Sequence, residues 1–223
     1  MKNKIFIAID TRNIKKAVSV IKLSKFKNLK IGYKFGLEFL NSKKGRSFIS
    51  KLKGKIIFID LKLNDIPNTM SSTLLALKDL KINYLTVHIS SGLKALKEVK
   101  KVCGKIKIVG VTTLTSLDNK DLKSIGHKRT LKEIVIMQAR LAKKAKLDAI
   151  VCSPLEVKLV KKNFDKEIIT PGIRISSKAN DQKRIMTPRE AFEQGSDWIV
   201  IGRDLTKGNI KQNFKKLSDH LSQ

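Results

Sequence analysis

The chain has 223 residues, with 48 Lys and Arg against 19 Asp and Glu, a formal net charge of +29. That length and a 41% hydrophobic content suit one large core, and two cysteines (Cys103 and Cys152) with no CxxC pair argue against a disulfide framework or a cysteine-built zinc site. The lysines are scattered rather than gathered into an arm and only 5% of residues are aromatic, so the charge reads as solvated helix faces that steer small anions rather than as a nucleic-acid platform.

The first apolar run, 5–10, is shorter than a signal-peptide core and ends on Asp10. No stretch is long enough to span a bilayer, so the expectation is a soluble cytoplasmic enzyme without membrane or nucleic-acid partners. Further apolar runs follow at 29–34, 55–62, 84–89, 107–114, 149–153, 167–173 and 198–203. Each reads as a strand, and the segments between them have helical length and pattern. Leu131–Lys144 is one such segment, with Ile134, Val135, Leu141 and Ala142 spaced for one face. Regular alternation implies a parallel sheet, and eight units imply a closed (β/α)8 TIM barrel forming one domain over 1–223.

Side-chain parity gives the barrel an inside and an outside. Ile5, Ile7 and Ile9 share one face, while Phe6, Ala8 and Asp10 share the other. Ile31, Tyr33 and Phe35 oppose Lys30, Gly32 and Lys34, and Leu85, Val87 and Ile89 oppose Thr86 and His88. In the third run Ile57, Ile59, Leu61 and Leu63 oppose Ile56, Phe58, Asp60 and Lys62. The aliphatic sets suit packing against helices. The other sets carry their polar residues at the C-terminal strand ends, which converge on the mouth where barrel active sites lie.

Asp10, Lys34, Asp60, Lys62 and His88 are therefore expected to be neighbours. Taken singly, each has a plainer reading. Asp10 suits a cap for a helix near Thr11, Lys34 a surface lysine, and Asp60-x-Lys62 a solvated strand end. His88 reads as a hydrogen-bonded structural histidine. Pro67 suits the first turn of a helix after the third strand. Gly202 and Arg203, after the eighth strand, are placed to meet a phosphate, Gly202 through a backbone N–H and Arg203 through its guanidinium. The polar tract 174–182 reads as a lid.

The string Asp60-Leu-Lys62-Leu-Asn-Asp65-Ile-Pro-Asn-Thr69 resembles the signature of orotidine 5′-phosphate decarboxylases of the bacterial type. The resemblance continues through Ala8-Ile-Asp10, Tyr33-Lys34-Phe-Gly36, Leu85-Thr-Val-His88, Leu114-Thr-Ser116, Val151-Cys-Ser153, Thr170-Pro-Gly-Ile-Arg174, Asp181-Gln182 and Ile201-Gly-Arg203. It implies a homodimeric barrel converting orotidine 5′-phosphate to UMP in pyrimidine biosynthesis, with no metal and no organic cofactor. It makes Lys34, Asp60, Lys62 and Asp65 the catalytic array, with Lys62 stabilising and protonating a carbanion at C6. Asp10 would hold the ribose, and Thr115 and Ser116 the pyrimidine. Gln182, Gly202 and Arg203 would hold the phosphate, and Arg174 would sit at the root of the lid. Asp65, Ile66 and Thr69 would complete the partner subunit's site. Three features depart from the family pattern: Ile89-Ser-Ser-Gly92, the short lid, and Asn64 where His is common.

Two other readings compete. One is a metal-dependent sugar-phosphate barrel sharing Asp-x-Lys-x-x-Asp, which would need a carboxylate where Lys34 stands. The other is a basic barrel that binds RNA or a membrane surface.

Overall fold

Two faces of each strand bury two different sets of side chains, and that division builds the molecule. The computed structural model describes residues 2–24, 26, 28–175 and 185–222. Eight parallel strands close in sequence order into a barrel: β1 (Asn3–Ala8), β2 (Leu29–Gly36), β3 (Ile56–Leu63), β4 (Tyr84–His88), β5 (Lys107–Val111), β6 (Ala149–Val151), β7 (Glu167–Thr170) and β8 (Trp198–Ile201). β8 returns to β1 through the pairs Ile5 with Ile199 and Ile7 with Ile201. The eight expected runs are all strands, and the expected helix Leu131–Lys144 has those bounds. The first, fifth, sixth, seventh and eighth runs end two or three residues sooner than expected, at Ala8, Val111, Val151, Thr170 and Ile201, and Arg203 already opens the helix Arg203–Thr206.

Helix starts follow their local chemistry. Thr130 with Glu133, and Thr187 with Glu190, form reciprocal capping boxes. Pro67 and Pro188 occupy first-turn positions, where a missing N–H leaves no helical bond unmade. Among the described residues, no helix is long and apolar enough to cross a membrane.

The outward apolar residues, including Ile5, Ile7, Tyr33, Phe35, Ile57, Ile59, Leu85 and Val87, join the large core beneath the helices. Inside the barrel a second cluster gathers Phe6, Ala8, Phe58, Tyr84, Val109, Ala149, Ile169, Trp198 and Val200. Phe6 stacks on Trp198 with ring centroids 4.1 Å apart, and Phe58 lies 4.9 Å from Phe6. Below them, at the N-terminal strand ends, the Tyr84 hydroxyl and the Lys107 ammonium both donate to Glu167 Oε2, at 3.1 and 2.9 Å. The interior is thus filled from below, and only the C-terminal mouth remains for a ligand.

Gly32 makes this packing feasible. It pairs with Phe6 across the β1–β2 ladder, and a Cβ there would sit 2.5 Å from Phe6 Cε1. The ring has nowhere to retreat, because Phe6 is fully buried against Trp198. Gly32→Ala should therefore destabilise the fold by about 1–3 kcal/mol through overpacking. Denaturant unfolding checks this, and an unchanged midpoint would show that the interior has slack.

Candidate active site

The polar residues at the C-terminal strand ends converge as parity requires. Asp60, on β3, lies between two ammonium groups. Lys34 Nζ, from β2, is 3.2 Å from its Oδ2, and Lys62 Nζ donates to both carboxylate oxygens at 3.0 Å. Lys34 Nζ also reaches Asp10 Oδ1, beyond the end of β1, at 3.5 Å. Side-chain exposure rises outward from the middle of this row: 12% for Asp60, 13% for Lys34, 35% for Lys62 and 58% for Asp10. Asp10 does not cap a helix. The helix Ile14–Leu23 starts three residues later than Thr11, and Asn13 caps it by accepting from the Lys16 N–H.

Charge pairing here competes with burial. Desolvation by itself raises the Asp60 pKa, but the charges of Lys34 and Lys62 and the bonds from Lys62 and Thr86 outweigh it, so the net shift is downward. Lys34 mirrors this: burial lowers its pKa, but the Asp60 and Asp10 carboxylates outweigh burial and raise it. Both groups are ionised across the neutral range. His88 is shifted down by burial and by the Lys62 charge, with Asp60 partly opposing, so its imidazole is neutral at pH 7.

Lys62 departs from the regular strand. Its φ is 51°, in the left-handed region, at a cost of about 1–2 kcal/mol for a residue with a Cβ. Strand pairing slips at the same place: Ile59 pairs with Leu85, but Leu63 pairs with Val87, where an unbroken ladder would put Leu61. The simple two-residue alternation expected through Lys62 is therefore interrupted by a bulge. The displaced Lys62 N–H donates to Thr86 Oγ1 at 2.8 Å, and the Thr86 hydroxyl donates onward to Asp60 Oδ1 at 3.0 Å.

These groups open into a cavity of about 280 Å³ at the barrel mouth. Asp10, Lys34, Asp60 and Lys62 line it together with Thr115, Pro171, Gly172, Arg174, Gly202 and Arg203. A Cβ on Gly202 would meet Ala8 Cβ at an ordinary 3.6 Å, so its absence leaves ligand space rather than relieving a protein clash. Arg174 is buried, with its guanidinium 3.9 Å from Asp204 Oδ1, and Asp204 Oδ2 accepts from the Ile175 N–H at 2.8 Å. An anchored arginine thus lines the same cavity as the Asp60 row.

Comparison with known proteins decides the family. The family model described as Orotidine 5′-phosphate decarboxylase / HUMPS family matches residues 3–215. The chain belongs to this family. It is 43% identical to an orotidine 5′-phosphate decarboxylase of Wolbachia sp. subsp. Brugia malayi, over 96% of this chain and 97% of that one. It is 39% identical to one from Coxiella burnetii, over 92% and 90%. The crystal structure of orotidine 5′-phosphate decarboxylase from Lactobacillus acidophilus superposes with a TM-score of 0.84 at 30% identity, covering both chains fully.

Membership gives the remaining candidate residues a context. Thr115 reaches the cavity, whereas Ser116 is exposed and outside its lining. Asp65 is exposed and also outside the lining, and its carboxylate accepts from the Ile66 N–H at 2.7 Å. Ile66 is 66% exposed and Thr69 is exposed, both at the start of the helix Pro67–Ala76. Gln182, together with most of the 174–182 tract, lies outside the described residues. Sequence parity puts Thr86 on the interior face of its strand but gives it no role. Its parity with His88 was the available signal.

The linked titrations have a definite sign. Asp60 has a depressed folded pKa, so its stabilisation is present above the unfolded value of 3.8 and is lost as pH falls through the lower folded value. Lys34 has a raised folded pKa, so its stabilisation is present below 10.5 and is lost as pH rises through the higher folded value. A carbon NMR titration of the Asp60 carboxyl should show a midpoint below 3.8. A midpoint at or above that value would mean that burial outweighs the two ammoniums.

Proposed function

We propose that this chain decarboxylates orotidine 5′-phosphate to UMP, with Lys62 as the group that meets the reacting carbon. The observation that carries the reading is Asp60 held between Lys34 and Lys62 on the wall of a cavity whose lining also holds Arg174, Gly202 and Arg203. Family membership and relatives carrying that name support it.

The chemistry follows from where charge develops. Loss of CO2 breaks the C6–carboxyl bond and leaves its electron pair on C6, in an orbital poorly aligned with the ring carbonyls. A fixed ammonium beside C6 stabilises that charge without having to reorganise. The same ammonium then gives C6 a proton, and the resulting Lys62 amine recovers one from solvent after release. Asp60 lies where the substrate carboxylate would stand. It holds Lys62 in place and disfavours a second negative charge there. Phosphate binding at Arg203 and Gly202, remote from C6, supplies energy for seating the ring and closing the site. Thr115 would contact the pyrimidine, together with Ser116 after movement of its loop, and Asp10 would hold the ribose. Gln182 would join the phosphate ligands.

Lys34 bears on the metal-dependent reading. Its ammonium occupies the space next to Asp60 that a divalent cation would need, and it is not an oxygen ligand. The family description covers both branches, and this lysine favours the decarboxylase of the nucleotide. The site is also proposed to be shared between two copies. Asp65, Ile66 and Thr69 are exposed and outside the lining of their own cavity, and a homodimer would place them at the partner's, where Asp65 would complete the alternating array. The reaction is assigned to the cytoplasm.

The direct assay follows orotate-type ultraviolet absorbance when protein and orotidine 5′-phosphate are mixed in excess chelator. The absorbance should fall at an enzymatic rate, and no change in protein that is folded and binds UMP would overturn the reading. Lys62→Ala should lose at least ~1,000-fold in kcat, on the scale of removing a principal electrostatic stabiliser, while still binding UMP. Turnover retained at the parent rate would remove Lys62 from the chemistry. Arg203→Ala should weaken UMP binding by about 10- to 150-fold, the worth of a charge-assisted hydrogen bond. Calorimetry reads this, and unchanged affinity would place the phosphate elsewhere. Mixing the separately inactive Lys62→Ala and Asp65→Ala proteins should restore turnover, because a mixed dimer contains one intact site. If the mixture stays inactive while subunits exchange, the site is built within one chain.

A further inference from the structure

Thr86 is fully buried on β4, and its one hydroxyl makes two bonds of opposite sense. It accepts from the Lys62 N–H at 2.8 Å and donates to Asp60 Oδ1 at 3.0 Å. An ionised carboxylate can only accept and a backbone N–H can only donate, so the hydroxyl proton has one place to go. The Lys62 N–H falls within the ladder slip between Ile59 and Leu63, and the Thr86 hydroxyl accepts it there. The left-handed backbone at Lys62, with φ 51°, is the conformation this bond secures.

We propose that Thr86 is the positioning residue of the reacting lysine: its hydroxyl couples the backbone bulge that aims Lys62 to the carboxylate that holds the Lys62 ammonium. The inference rests on the decarboxylase reading of the site. Thr86 contributes a restraint and touches no substrate. It does not line the cavity, whereas Asp60 and Lys62 do. Two side chains that alternate as Asp-x-Lys on an ordinary strand would lie nearly parallel, one two residues above the other. The bulge instead folds the lysine back, so that its ammonium meets both oxygens of Asp60 at 3.0 Å. A residue at position 86 without an acceptor would take away this partner of the part-buried N–H, and relief would come from straightening the bulge and moving the ammonium.

Thr86→Val keeps shape, β-branching and strand preference while removing both bonds. Thr86→Ser keeps the hydroxyl. The expected result is a fall in kcat of about 10- to 100-fold for T86V, the loss that follows a displacement of ~1 Å at a reacting group. UMP affinity should change less than ~3-fold, because the phosphate and ribose contacts are untouched. T86S should restore most of the turnover.

The pH profile separates positioning from general weakening. The Thr86 hydrogen bond helps hold the Asp60 carboxyl low, so T86V should move the acid limb of kcat/KM to higher pH and T86S should not. The other groups facing Asp60 are common to all three proteins: Lys34 from β2, Lys62 from β3, His88 from β4, and Asp10 beyond Lys34. Parent-like kcat and acid limb in folded T86V would overturn the inference. So would T86S proving as slow as T86V. If the parent protein fails to turn over orotidine 5′-phosphate at all, the functional reading fails instead, and the two failures are distinguished by that control. Should T86V not fold, Thr86→Cys, whose thiol is a weak donor, carries the same comparison.

Discussion

The site depends on one buried carboxylate that stays ionised. Asp60 is largely withdrawn from water, and an isolated carboxylate in that position would take up a proton. Lys34 and Lys62 prevent this, and Asp60 in turn keeps the Lys34 ammonium charged despite its burial. The desolvation cost is met in the folded protein before any ligand arrives. Removing one member leaves an uncompensated charge, a loss of about 3–5 kcal/mol for a buried pair. The cluster is therefore a weak source of net stability but a strong constraint on geometry.

The rest of the barrel can be understood as support for that constraint. The aromatic plug of Phe6, Phe58, Tyr84 and Trp198 fills the interior beneath the site and excludes water from below. Gly32 gives the plug room. Charged groups at the N-terminal strand ends, centred on Glu167, close the opposite end. Chemistry is confined to the C-terminal mouth because only there do the strands present polar side chains without a neighbour filling the space. Arg174, paired with Asp204, lines the same mouth, so cationic side chains reach the cavity from β2, from β3 and from the segments after β7 and β8.

The barrel and most of the site were legible because strand periodicity is local. Phe6, Ala8 and Phe58 face inward and Ile5, Ile7 and Ile57 outward for the same reason, and Lys34 and Asp60 inherit their meeting point from that rule, whereas Lys62 reaches it through a bulge. What was not legible is tertiary. Nothing within 56–63 announces a bulge, because the left-handed turn at Lys62 is stabilised by Thr86, on a different strand. Strand ends were overestimated most at β5 and β7, where residues 112–114 and 171–173 already belong to the loops at the mouth. Asp65, Ile66 and Thr69 cannot be judged from one chain's own packing, since they are exposed around the start of a helix whose Pro67 was correctly read. Ser116 follows the same logic: the motif names it, but its loop places it outside the lining.

The central claim is that cationic charge is fixed beside C6 before the reaction begins, and binding tests it without turnover. UMP and a uridylate carrying an anionic oxygen at C6 differ mainly in the charge presented to Lys62. Titration calorimetry of both ligands should show the C6 oxyanion binding at least ~1,000-fold more tightly, the behaviour of a ligand that mimics the charge of the transition state. Comparable affinities would mean that the ammonium is not prepositioned at C6.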